Sequence, residues 1–391
     1  MTIKKITEIN ITGKRVLIRS DLNVPIEKGV IQSDARILAS LPTIEFAIKK
    51  NAKVIIMSHL GRPKEECYTK EYSLFPIFEY FKKKFNYTKI YFSDNFLEDV
   101  QLNSGEIAIL ENTRFNKGEL DNHDKLSKKY SNICDIFVMD AFGSAHRMQS
   151  STYGVGKFVK VACAGLLLIN EINALKKALK KPKRPMVAII GGSKVSTKFN
   201  VLNKLATIAD TIIVGGGIAN TFLAIDYKIG KSLHEPDFIF EAKKLRDKYN
   251  IIVPIDSRVG ENFCKNEKSI IKLPNNITEN EEIMDFGDKS IEKIIHILKQ
   301  SQTIIWNGPV GVFEFPNFRK GTEMIAKTIA DSHAFSIAGG GDTLSVIDMF
   351  NIKNNISYIS TGGGAFLEFI EGKKLPAIHM LEEHFKKQIN N

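Results

Sequence analysis

Five apolar runs beyond residue 185 each end in a turn that could receive phosphate. Residues 187–190 lead into Gly191-Gly192-Ser193-Lys194, 211–214 into Gly215-Gly216-Gly217, and 303–306 into Asn307-Gly308-Pro309. Residues 334–338 lead into Gly339-Gly340-Gly341-Asp342, and 357–361 into Gly362-Gly363-Gly364. A glycine turn between a strand and a helix leaves backbone N–H groups uncovered by any Cβ. The helix N-terminus behind it carries partial positive charge, so the pair attracts anions. Five such turns in one sheet describe a crevice for a polyphosphate. Lys194 and Lys198 lie four apart, which at a helix start places both on one face, within reach of phosphate oxygens; the alternative is a solvated pair. Asp342 follows its glycines directly. It suits Mg²⁺ bridging phosphates, held directly or through water, and it also suits a helix N-cap. Glu314, after the Asn307 turn, could accept hydrogen bonds from ribose hydroxyls.

The first half offers guanidinium groups instead. Only 10 of the 55 basic residues are arginine, and six of those precede residue 150, whereas 21 of the 27 glycines follow it. A chain this rich in lysine keeps arginine where a planar fork is needed, for carboxylate or phosphate. Arg19-Ser20-Asp21-Leu22-Asn23-Val24-Pro25 puts Asp21 and Asn23 on one side of an extended segment, although Asp and Asn before Pro also start turns. His59 and Arg62 follow an apolar run in Ser58-His59-Leu60-Gly61-Arg62-Pro63, while Arg114 and Arg147 follow two others. In an open parallel sheet all carboxyl-end loops face one crevice. These four basic groups, with Arg36 as a fifth, would converge there, at a cost unless a multiply charged anion neutralises them.

Placing these residues requires alternating strands and helices. In the first half the strands are expected at 15–20, 53–58, 89–92, 107–111 and 135–140, separated by helices such as 36–50 and 121–131. Their continuous apolar character fits strands buried on both faces, hence parallel sheets. The second half repeats the pattern, with 251–255 as a further strand. The expected fold is α/β, with two doubly wound Rossmann-like parallel-sheet domains. An apolar-faced helix over 165–181, stopped by Lys181-Pro182-Lys183-Arg184-Pro185, connects them. A last amphipathic helix covers 377–388.

The remaining features narrow the class. A length of 391 residues makes two domains the default. No run is long enough to span a membrane and the first residues do not read as a signal peptide. Four scattered cysteines without a CxxC pair suggest a reducing cytosol, with neither disulfides nor a zinc site. The formal charge of +11 is mostly lysine spread over helical stretches, a solvated bias rather than a nucleic-acid face, and no nucleic-acid-binding motif occurs. GxxxxGK[ST] is absent, so this is not a P-loop enzyme. The Gly215-Gly216-Gly217 turn lacks the third glycine of GxGxxG, which counts against a nicotinamide-dependent dehydrogenase.

Taken together, the segments 19–25, 58–63, 110–115, 140–147, 191–198, 215–223, 306–314, 339–343 and 360–368 resemble phosphoglycerate kinases, in order and spacing, from end to end. The resemblance implies two Rossmann-like domains joined by a helix, with the C-terminal helix returning to the first. A phosphoglycerate-binding domain would comprise 1–164 with 377–391, a connecting helix and hinge 165–185, and a nucleotide-binding domain 186–376. The reaction implied is reversible, Mg²⁺-dependent phosphoryl transfer between ATP and 3-phosphoglycerate, giving ADP and 1,3-bisphosphoglycerate, in a cytoplasmic monomer with no membrane or specific nucleic-acid partner. Carried over, Asp21, Asn23, Arg36, His59, Arg62, Arg114 and Arg147 would bind phosphoglycerate. Lys194, Lys198, Gly216, Gly217, Gly287, Asn307, Glu314, Gly340, Gly341, Asp342 and Thr343 would bind the nucleotide, with the metal at Asp342. Gly362 and Gly363 would present N–H groups to the moving phosphoryl. Thr197 stands where the family commonly has Asp, and Asp288 where Pro is common.

The attacking group would be a carboxylate, already ionised at neutral pH, so no general base is required. Positioning and charge neutralisation must then carry the rate, through Arg36, Lys198, the metal and the Gly362-Gly363 amides. An acyl phosphate product must be kept from water, which a hinge closure around 165–185 would achieve.

Overall fold

A computed structural model describes residues 3–94 and 101–389. The chain divides into two compact units, Met1–Ile172 with Lys374–Asn391, and Asn173–Lys373.

In the first unit the strands are β1 (Arg15–Arg19), the pair β2 (Ile26–Glu27) and β3 (Val30–Ile31), then β4 (Lys53–Met57), β5 (Ile90–Ser93), β6 (Ile107–Leu110), β7 (Ile136–Met139) and β8 (Val161–Ala164). Six of them make one parallel sheet in the order β5-β6-β4-β1-β7-β8. Strand order reverses at β1, with β4 on one side and β7 on the other. The loops after these central strands therefore flank the crevice where ligands of such sheets bind. Each of β6 and β7 is buried along its whole length, as expected of strands covered by helices on both faces. One face carries Val16, Ile18, Val54, Ile56, Ile107, Ile109 and Val138, packed with Ile37, Leu41 and Ile44 of the helix Ala35–Lys49 and Ile77 and Phe81 of the helix Phe75–Lys84. The β2–β3 hairpin is antiparallel, and Lys28 and Gly29 at its tip both have positive φ, the backbone that matches the strand twist.

The second unit contains β9 (Met186–Ile190), β10 (Thr211–Val214), β11 (Ile251–Ile252), β12 (Ser257–Gly260), β13 (Ile270–Lys272), β14 (Glu282–Phe286), β15 (Thr303–Asn307), β16 (Phe335–Gly339) and β17 (Tyr358–Ser360). Its parallel sheet runs β11-β10-β9-β15-β16-β17, the order of a dinucleotide-type doubly wound sheet. All five glycine-bearing turns thus leave one sheet at its carboxyl edge. The second half differs from expectation at 251–255. Pro254 can donate no ladder hydrogen bond, so β11 stops after Ile252. The chain then enters a separate antiparallel sheet, β13-β12-β14.

The helix Leu166–Leu179 crosses the boundary between the units. Its first N–H groups are held by first-unit side chains: Leu166 donates to Thr43 Oγ1 at 2.9 Å and Leu168 to Asp140 Oδ1 at 3.2 Å. Asp140 is fully buried, Gly165 packs against its carboxylate, and burial pushes its carboxyl up to about 7. The C-terminal helix Pro376–Ile389 belongs to the first unit. There Ala377 donates to the Ala145 carbonyl at 3.1 Å, and Met380 fills the space beside Gly156.

Candidate active site

In the first unit the basic residues expected to converge do so behind the carboxyl ends of β1, β4, β6 and β7. His59 sits between two guanidinium groups, with Arg19 Nη2 3.2 Å from Nδ1 and Arg147 Nη1 3.3 Å from Nε2. Burial, then Arg19, Arg114, Arg147 and Arg36, hold the imidazole well below its usual range, so it is neutral at pH 7. Burial, then Arg147, Arg19 and Arg62, bring the Arg114 guanidinium down to about 10. Burial is the larger cause, three like charges add to it, and Glu119 opposes them. Arg114 is anchored by donating to the Gly61 carbonyl at 2.5 Å. Arg36 donates to the buried Asp21 Oδ2 at 2.6 Å. Asn23 Oδ1 accepts from the Gly61 N–H at 2.9 Å, tying the loop after β1 to the loop after β4. Arg62 lies exposed at the rim.

Sequence reasoning passed over Arg19 as a site residue, although it ends β1 two positions before Asp21. Its guanidinium is fully buried and touches His59 directly. The only signal available was arginine as the last residue of an otherwise apolar strand.

In the second unit, the turns after β9 and β15 meet at the point where strand order reverses. Gly191 N–H donates to the Asn307 carbonyl at 2.9 Å, and a Cβ on Gly191 would strike the Pro309 carbonyl. Gly216 has φ +62°, and a Cβ there would lie 2.7 Å from the Gly192 carbonyl oxygen. Glycine is therefore demanded at these crossings by backbone against backbone. Lys198, on the helix Val195–Ala206, folds back to donate to the Gly191 carbonyl at 2.5 Å. Burial lowers its ammonium to about 8, with Asp342 opposing the shift. Asn307 Nδ2 donates to the Gly339 carbonyl at 2.6 Å, and Thr343 Oγ1 accepts from Gly308 N–H at 2.7 Å, locking the turns after β15 and β16 together.

A cavity of about 260 Å³ opens beside these turns, walled on one side by Gly192, Gly216, Gly217, Glu314 and Asp342. The rest of its lining is mostly apolar, with Leu233, Phe263, Met284, Val312 and Phe313 beside Asn220 and Glu282. These apolar walls were not legible as site residues in the sequence. Larger hollows of about 630 Å³ and about 430 Å³ lie elsewhere, against lysine-rich surface. Neither is walled by any glycine turn of the second sheet, so size does not identify the ligand site here.

Lys194, Gly287, Gly362 and Gly363 are among the expected residues that do not line that cavity. Lys194 is exposed at the start of its helix, near Glu235. Gly287 precedes the helix Asp288–Gln300, packed against the Asp256 carboxylate. Gly362 N–H donates to Ser360 Oγ at 3.1 Å, while Gly363, with φ +49°, opens the helix Gly364–Ile370. No group of three His, Cys, Asp or Glu side chains able to hold a metal occurs among the described residues. Oxygen donors near the β16 turn are the Asp342 carboxylate and Asn307 Oδ1, which is buried without a partner. A hard cation that takes most of its oxygens from phosphate and water fits this set.

Comparison with known proteins agrees with the geometry. A family model described as phosphoglycerate kinase matches residues 6–373. The chain is 85% identical over 388 residues to the phosphoglycerate kinase of Buchnera aphidicola subsp. Acyrthosiphon pisum (strain Tuc7), covering 99% of this chain and 100% of that protein. The crystallised phosphoglycerate kinase of Pyrococcus horikoshii OT3 superposes with a TM-score of 0.83 at 32% identity, covering 98% and 100% of the two chains. The structure of phosphoglycerate kinase from Coxiella burnetii superposes with a TM-score of 0.92 at 46% identity, covering 98% of this chain and 99% of that one. An arginine cluster on one parallel sheet, glycine turns on another and end-to-end similarity of this depth leave one assignment: the chain belongs to the phosphoglycerate kinase family.

Proposed function

We infer that this chain transfers a phosphoryl group reversibly between ATP and the carboxylate of 3-phosphoglycerate, yielding ADP and 1,3-bisphosphoglycerate. The observation that carries the reading is the convergence of Arg19, Arg147 and Arg114 around His59, with Arg19 and Arg147 each on one ring nitrogen and Arg114 on the neighbouring Gly61 carbonyl. Asp21 and Glu119 offset part of that charge, and a ligand carrying both a phosphate and a carboxylate matches the remainder. Asp21, Asn23, Arg36, His59, Arg62, Arg114 and Arg147 bind that ligand in the first unit. The glycine turns, Lys198, Asn307, Glu314 and Thr343 take the nucleotide in the second. The apolar cavity walls face the base.

The nucleophile arrives ionised, so no side chain needs to remove a proton. Arg36 in the first unit, and Lys198 and the Gly363 N–H in the second, are then the groups each unit offers to negative charge developing during transfer. Asp342 would hold Mg²⁺, which when bound neutralises charge on the nucleotide phosphates. The exposed Lys194 side chain and Gly287 have supporting roles, at the phosphate end and the far rim respectively. We place the enzyme in the cytoplasm as a monomer. The test is a coupled assay with the purified chain. ATP consumption should require both 3-phosphoglycerate and Mg²⁺, and turnover without phosphoglycerate would overturn the reading.

A further inference from the structure

Behind His59 runs a buried chain of polar groups whose direction is set by its donors. Glu119 is fully buried, and its Oε1 accepts from the Ser151 hydroxyl at 2.5 Å while its Oε2 accepts from the Ser151 N–H at 3.1 Å. Ser151 owns one hydroxyl proton. Spending it on Glu119 leaves the Oγ lone pairs to accept from Arg19 Nε–H, at 2.9 Å. Arg19 Nη1 donates to the Ser20 carbonyl at 2.6 Å. Of its three nitrogens Nη2 is the one that faces His59 Nδ1.

A guanidinium has donors and no acceptor. Its contact with Nδ1 is a hydrogen bond only if Nδ1 is unprotonated. The same demand comes from Arg147 at Nε2, and a neutral imidazole can accept at one nitrogen only. Burial breaks the tie. Arg19 is fully buried and pinned on two sides, so an unmatched Nη2–H there has nowhere else to go. Arg147 is only half-buried and can turn to solvent or to a ligand.

We infer that the Glu119–Ser151–Arg19 chain fixes His59 as the tautomer bearing its proton on Nε2, so that Nε2–H and Arg147 Nη1–H form a paired donor for one oxyanion of the substrate. Glu119 and Ser151 are thereby positioning residues: neither touches the ligand, and both act through Arg19. The identity of that oxyanion as part of phosphoglycerate rests on the function proposed above; the tautomer does not.

The experiment uses the full chain labelled with nitrogen-15 histidine at neutral pH, with His59 assigned by loss of its signals in His59→Gln. The expected spectrum shows an unprotonated Nδ1 and a protonated Nε2. In Glu119→Gln, which keeps the side-chain volume, the two tautomers should mix. The KM for 3-phosphoglycerate should rise about tenfold, as for the loss of one charge-assisted hydrogen bond, with the KM for ATP unchanged. Ser151→Ala should act in the same direction, and Ser151→Thr should restore the wild-type spectrum. A protonated Nδ1 in the wild-type chain overturns the inference, whatever the variants do. So does an unaltered tautomer with unaltered phosphoglycerate KM in both Glu119→Gln and Ser151→Ala. A merely structural Glu119 would lower the melting temperature without moving the tautomer. Absence of phosphoglycerate turnover in the wild type would sink the functional reading alone, because the spectrum needs no turnover.

Discussion

Arg36 Nη1 donates to Asp21 Oδ2 at 2.6 Å, joining the first turn of the helix Ala35–Lys49 to the loop after β1. The carboxylate is almost entirely buried and the guanidinium about one-third exposed. Asp21 therefore fixes one edge of Arg36 and leaves the other edge for a ligand.

Removing that guanidinium should show in kcat. Arg36→Ala is expected to lower kcat by about 10²–10³-fold, the usual consequence of losing one group aimed at developing charge, with a smaller change in the KM for phosphoglycerate. Steady-state kinetics decide it. An effect confined to KM would mean that Arg36 holds only the ground state.

Lys198 should make nucleotide binding pH-dependent. Its ammonium is lowered from 10.5 to about 8 by burial. Between those values the unfolded chain holds more protons than the native one, so this group's contribution to stability rises with pH across that window. Polyphosphate favours the charged lysine and reverses the shift. Nucleotide binding at about pH 8–9 should therefore take up protons. Calorimetry in two buffers of different ionisation heat should detect the uptake in the wild type and lose it in Lys198→Met. Equal uptake in both would exclude Lys198 as its source.

Two glycines, in the turns after β10 and β16, should respond oppositely to alanine. Gly216 has φ +62° and backbone at 2.7 Å from an added Cβ, so Gly216→Ala should destabilise the fold by about 1–3 kcal/mol. At Gly341 an added Cβ meets nothing within 4 Å. Gly341→Ala should leave stability within about 0.5 kcal/mol while raising the KM for ATP, because the methyl occupies space proposed for phosphate. Denaturant melts alongside kinetics separate the two. An unchanged KM in Gly341→Ala would move the phosphates elsewhere.

Asp140 gives stability a pH slope of opposite sign to that of Lys198. Its carboxyl is raised from 3.8 to about 7 by burial. From about pH 4 to about pH 7 the native state holds the extra proton, so this contribution falls as pH rises. Asp140→Asn, which mimics the protonated form, should flatten part of that slope in urea melts. Asp285, raised to about 7, and Glu119 and Glu282, also raised by burial, contribute to the slope that remains. Identical slopes for Asp140→Asn and wild type would show that Asp140 is ionised in the native state.

The parallel strands were legible because burial on both faces leaves unbroken apolar runs, as in Ile107–Leu110 and Ile136–Met139. The strand Val161–Ala164 was not legible. It runs almost directly into the apolar start of the helix Leu166–Leu179, and composition alone cannot divide one apolar stretch into two periodicities. The β13-β12-β14 sheet was missed for the opposite reason. Its strands carry Arg258, Lys272, Glu282 and Asp285, and β13 is largely exposed. At the site, residues beside glycine turns or at strand ends stood out. Glu119 and Ser151 did not, because their partner Arg19 is distant in sequence and no local pattern links them.

The helix Pro376–Ile389 has a bearing on biosynthesis. It closes the first unit, yet the whole of the second, Asn173–Lys373, lies before it in the chain. On the ribosome the later lobe can complete itself while the earlier one, though emerged long before, still waits for its final segment. Nascent chains halted just short of residue 376 should therefore carry a protease-resistant second unit and a more easily cleaved first one.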